Sequence, residues 1–188
     1  MATTSDIRKG LCIRYNHDIY KIIEFLHVKP GKGPAFVRTK LKSVTTGKVI
    51  DNTFSAGHKI DDVRVETHKF QYLYSEGEFY HFMNTEDYTQ IRLLREALDT
   101  PELMKEGEVV TVIINTEDNA PLSVEMPPHV ILEVTATEPG VKGNTATNAT
   151  KPATVETGAE IQVPLFIDEG DKIRVDTEKG QYQERIKG

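Results

Sequence analysis

His27-Val28-Lys29-Pro30-Gly31-Lys32-Gly33-Pro34-Ala35-Phe36 joins two strand-like runs through a segment that sets one lysine between two glycines and two prolines. Before it, Ile19 to Val28 is rich in β-branched and aromatic residues. After it, Phe36, Arg38, Lys40 and Lys42 alternate with Val37, Thr39 and Leu41, the period of a strand with one face inward and the other in water. The stretch therefore reads as a β-hairpin with a long tip. Glycine opens backbone angles closed to other residues, and proline fixes φ and withholds an N–H donor. Pro30, Gly31, Gly33 and Pro34 thus shape a tip that cannot join a sheet, with Lys32 at its apex.

Charge is distributed so as to support that apex. The net charge is −6, yet residues 1–63 carry eleven Lys/Arg against six Asp/Glu, residues 64–126 five against thirteen, and residues 127–188 seven against ten. Between positions 21 and 48 there are seven basic side chains and a single acid, Glu24. A basic end on an acidic body fits one end meeting phosphates while the rest resists non-specific adhesion. Arg38, Lys40 and Lys42 share a parity, hence a face, directly below the tip.

Outward from the hairpin the chain reads as short strands at regular spacing, an all-β pattern. Residues 1–64 give Leu11 to Tyr15, Ile19 to Val28, Ala35 to Val44 and Lys48 to Phe54. Residues 65–127 contain the aromatic runs Phe70 to Tyr74 and Phe79 to Met83, then Val109 to Ile114 and Leu122 to Met126. Within them, Ile91, Leu94 and Leu98 predict a helix over Glu86 to Leu98. Residues 128–188 give His129 to Thr137, a Gly/Thr/Asn-rich loop, and further strands at Ile161 to Ile167, Lys172 to Val175 and Tyr182 to Ile186. Three pieces of about sixty residues, each marginal alone, placed in a row would span about 75–85 Å. The aromatic residues of the middle piece suit a packed core better than base stacking, because that piece is strongly acidic.

Enzyme chemistry finds little support. Histidines at 17, 27, 58, 68, 81 and 129 lack metal-ligand spacing, Gly31-Lys32-Gly33 lacks the hydroxyl residue of a Walker loop, and no G-x-S-x-G element occurs. No cofactor or metal site is read. A nucleophilic lysine needs burial or a neighbouring cation to lower its pKa, and a Gly/Pro apex offers little of either. Cys12, the sole cysteine, lies in an apolar run and reads as a core residue. The N-terminus has no signal-peptide core and no run approaches a membrane span, so a monomeric cytoplasmic protein is expected.

Lys29-Pro30-Gly31-Lys32-Gly33 with Ala35-Phe36, Tyr72-Leu73-Tyr74 through Met83, and Val163-Pro164-Leu165-Phe166 with Gly170 to Thr177 resemble the bacterial translation elongation factor P family, nearly end to end. The resemblance implies three consecutive small β-barrels, a KOW/SH3-like barrel followed by two OB-folds, in an elongated L-shape. It implies ribosome binding between the P and E sites, through both subunits, and relief of stalls at consecutive prolines. Lys32 would reach the CCA end of the P-site peptidyl-tRNA; Lys29, Arg38, Lys40 and Lys42 would face tRNA phosphates. Tyr182 and Arg185 would meet the small subunit or tRNA. Gly143-Asn144-Thr145 stands where relatives often have Gly-Asp-Thr, proposed to meet E-site mRNA, so position 144 departs from the pattern. Relatives extend the apical residue by β-lysylation or aminopentanol on lysine or rhamnose on arginine, whereas some with proline at position 34 work unmodified. Pro34 would stiffen the tip; the reading favours Lys32 as the target of a modifying enzyme. The competing reading is a tandem-OB single-stranded nucleic-acid binder outside translation, which the acidic second and third pieces oppose. An enzyme acting through Lys32 would instead form an imine that borohydride traps.

Overall fold

The computed structural model describes residues 1–140 and 149–188, and strand dominates throughout. Among the described residues the only helical elements are single 3-10 turns at Thr4–Asp6, Arg95–Ala97 and Pro101–Leu103. The first strands are β1 (Ala2–Thr3), β2 (Cys12–Tyr15), β3 (Asp18–Val28), β4 (Phe36–Ser43), β5 (Val49–Ser55) and β6 (Lys59–Ile60). β2 to β5 form an antiparallel meander in sequence order, and β1 pairs with β6. A two-residue turn joins β2 to β3 with φ of 47° at Asn16 and 64° at His17, the positive pair that a tight hairpin turn requires.

β7 (Val65–Glu76), β8 (Phe79–Asn84), β9 (Gln90–Leu94), β10 (Val109–Asn115) and β11 (Pro121–Glu125) form a sheet in the order β11-β10-β7-β8-β9. β12 (His129–Thr137), β13 (Thr150–Val155), β14 (Glu160–Pro164), β15 (Lys172–Asp176) and β16 (Gln181–Ile186) form another, ordered β14-β13-β12-β15-β16, with β14 curling towards β16. The all-β expectation is thus met.

The chain forms two compact units, Met1–Thr67 with Val112–Ser123, and His68–Thr111 with Val124–Gly188. In the first, Ile13, Ile22, Val37, Leu41 and Phe54 make the main core beneath the hairpin, and Cys12, Val63 and Leu122 a smaller one. In the second, Leu132, Val134, Val155, Val163 and Ile173 are buried together, and Phe70, Tyr72, Phe82 and Leu93 of the β7–β9 strands are each buried. Burying such a side chain contributes roughly 1.5–3 kcal/mol. The expected core role of the middle aromatics holds for Phe70, Tyr72 and Phe82, while Tyr74 and Phe79 lie exposed.

The helix predicted over 86–98 does not form. Asn84 Oδ1 accepts the Glu86 and Asp87 N–H groups, Asp87 Oδ1 accepts that of Thr89, and Tyr88 has φ of 61°. That side-chain-capped turn feeds β9, where Ile91 and Leu93 point inward at period two and pair with β8. Ile91, Leu94 and Leu98 share a helical face, but Ile91 and Leu93 equally share a strand face, and pairing with β8 decided the outcome, leaving Leu94 exposed.

Candidate nucleic-acid interface

β3 and β4 pair in register from Tyr20↔Ser43 to Val28↔Phe36, with one interruption between Ile22 and Glu24. The interruption lies beside the start of β2, whose first residue, Cys12, stands opposite Lys21. Beyond it the outer half of β3 is an edge paired only with β4, and Glu24, Phe25, Leu26 and His27 are all exposed. Only this outer half of β3 leaves the core: β4 pairs with β5 as far as Phe36↔Ser55, and its Val37 and Thr39 remain buried.

At the tip, Lys29, Gly31, Lys32, Gly33 and Pro34 are exposed and Pro30 is half-buried. Gly33 has φ of 105°, a conformation that side chains resist, and a Cβ there would touch Pro30 Cγ at 3.9 Å. Gly31 lies outside the positive-φ region and has nothing within 4 Å of where a Cβ would stand. Of the two glycines flanking Lys32, only Gly33 is demanded by backbone geometry.

On β4 the expected alternation is present. Val37, Thr39, Leu41 and Ser43 are buried, Arg38 and Lys40 are exposed, and Lys42 is half-buried on their face. The register sets their neighbours. Arg38 lies between Leu26 and Thr53, and Lys40 between Glu24 and Asp51. The Arg38 guanidinium sits 5.5 Å from the Phe36 ring centroid, and Lys40 Nζ is 3.4 Å from Glu24 Oε2. A cleft of about 250 Å³ runs among Leu26, Arg38, Lys40, Asp51 and Thr53.

Three family models match the chain in succession. Their descriptions are Elongation factor P (EF-P) KOW-like domain over residues 3–60, Elongation factor P (EF-P) OB domain over 65–124, and Elongation factor P, C-terminal, over 130–185. A protein named Elongation factor P from Christiangramia forsetii is 81% identical, covering 100% of both chains. The chain belongs to the elongation factor P family. Another Elongation factor P, from Flavobacterium johnsoniae, is 73% identical over the same coverage. A solved structure described as eukaryotic translation initiation factor 5A from Methanococcus jannaschii is 19% identical with a TM-score of 0.43, covering 65% of this chain and 92% of its own.

In this elongation factor P family member the remaining expected contacts are differently placed. Tyr182 is half-buried against the core of the last sheet, and burial raises its phenol above the ordinary value. Arg185 reaches Asp171 at 3.8 Å and lies 5.3 Å from the Phe166 ring centroid, so its charge is partly engaged. Gly143, Asn144 and Thr145 lie outside the described residues. Sequence reasoning missed the pairing of Glu24 with Lys40. Strict alternation from Ile22 would turn Glu24 inward, and only the extra residue in β3 brings it to the basic face.

Proposed function

We propose that this family member binds the ribosome between the P and E sites and promotes peptide-bond formation where consecutive prolines stall it. In this reading Lys32, at the apex of the hairpin, approaches the CCA end of the P-site peptidyl-tRNA, while Lys29, Arg38, Lys40 and Lys42 meet tRNA phosphates. Divisions at 1–64, 65–127 and 128–188 would serve as the working domains, in a cytoplasmic setting. The observation that carries the reading is the Gly33-turned tip with Lys32 exposed at its apex, in a chain of this family.

The mechanism this supports is positioning. Proline is a rigid, poorly reactive partner, and holding peptidyl-tRNA in a productive geometry lowers an entropic part of the barrier without acid or base from the factor. A modification that lengthens Lys32 would extend its reach, and Pro34 would restrict what the tip must lose in entropy on docking. Translation of a polyproline reporter beside a proline-free control, with wild type and Lys32→Ala, tests the proposal. Wild type should raise polyproline output alone and the variant should lose most of that gain. Equal, proline-independent output from both would overturn it.

A further inference from the structure

We propose that the hairpin face holds one constitutive phosphate-reading cation, Arg38, and one conditional cation, Lys40, whose availability is set by Glu24. The inference rests on the reading that this face meets tRNA, and it assigns unequal roles to side chains that parity alone makes equivalent.

The two cations differ in the residues directly opposite them. Arg38 is bordered across the sheet by uncharged Leu26 and Thr53 and is braced against the Phe36 ring. Its planar guanidinium offers a fixed fork of donors suited to phosphate, and the side chain is exposed. Lys40 stands between two carboxylates in register, Glu24 on β3 and Asp51 on β5, and contacts the first at 3.4 Å. An approaching phosphate meets a monopole at Arg38 but a near-neutral pair at Lys40. To bind there, it must displace Glu24 or stay beside a repelling carboxylate. Exposed pairs of this kind are weak, typically under about 1 kcal/mol, so Glu24 tunes Lys40 and does not lock it.

The placement of Glu24 has a specific cause. The extra residue between Ile22 and Glu24 shifts the parity of β3, so the one acid among seven bases in this region faces Lys40 and not the core. The result is a graded face. Lys29, Lys32 and Arg38 lie towards the tip, and at Lys40, farther from it, the charge is offset by Glu24. Such a gradient favours contacts that place the apex correctly over contacts that bind phosphate anywhere along the arm. Glu24 is thus a positioning residue acting through Lys40.

A double-mutant cycle on the full-length protein, with deacylated tRNA as the probe over a salt series, tests this. Each phosphate contact adds about 0.7–0.9 to the slope of log affinity against log salt. Arg38→Gln should lower the slope by about that amount, and Lys40→Gln by less than about a third of it. Glu24→Gln should tighten binding and steepen the slope by about one contact, and Lys40→Gln in that background should remove the whole gain. All three positions lie at the surface, so circular dichroism and melting should match wild type. If Lys40→Gln costs the same with or without Glu24, if Arg38→Gln leaves the slope unchanged, or if wild-type binding shows no salt dependence, the inference is overturned. The polyproline reporter responds to Lys32 independently of this cycle, so the two readings fail separately.

Discussion

Lys32 is flanked by two glycines with different physical duties. Gly33, at φ 105°, occupies backbone space that a side chain enters only with strain, whereas Gly31 has open space around it and no positive φ. Gly33→Ala should cost up to about 1–2 kcal/mol or distort the tip. Gly31→Ala should fall within about 0.5 kcal/mol of wild type or slightly above it, because it narrows the unfolded ensemble. Chemical denaturation together with reporter output checks this pair; equal behaviour of the two variants would show that the tip is not held in the conformation described. The paired Gly and Pro residues made the loop legible from sequence, but which glycine is obligatory was not, since that depends on a dihedral angle. In the same way Arg38 and Lys40 looked alike by parity, and only the strands beside β4 tell them apart.

At the scale of elements, the base of the arm is tied by one carboxylate. Asp18, at the start of β3, accepts bonds from Ser43 Oγ at 2.6 Å, Thr45 Oγ1 at 2.8 Å and the Ile19 N–H at 2.8 Å. Ser43 Oγ in turn accepts the Thr45 and Thr46 N–H groups, so the turn after β4 is fastened to the turn before β3. Burial pushes the Asp18 carboxyl upward, but the bonds from Ser43, Thr45 and Ile19 outweigh it and hold it below the usual 3.8. A depressed native pKa means that the unfolded chain binds the proton more readily. The stabilisation is therefore complete above the unfolded value near 3.9 and fades as pH falls through the native one. Asp18→Ala should cost about 1–3 kcal/mol near neutral pH, and its difference from wild type should shrink below about pH 4. A difference that stays constant down to acid pH would contradict the assignment. Most strands were readable because alternation and turn residues agree. The segment after Asn84 was not, because its apolar spacing suits a helix while its hydrogen bonds and the neighbouring β8 impose a strand.

For the whole molecule, composition separates a basic first third from acidic remaining parts, and the apex is the exposed end of the basic arm. That distribution, together with the order of elements, was available in the sequence. The edge character of outer β3 and the engagement of Arg185 with Asp171 and Phe166 were not, because both arise from pairings distant along the chain. The central claim is that the arm presents Lys32 to peptidyl-tRNA and so speeds a reaction that the ribosome itself performs. The direct test is the single-turnover rate of proline–proline bond formation on purified ribosomes, measured with and without the protein at saturating concentration. The account predicts a faster rate with wild type, most of which is lost in Lys32→Ala, and no change for a bond between non-proline residues. A rate unaffected by the protein, or raised equally by Lys32→Ala, would contradict it.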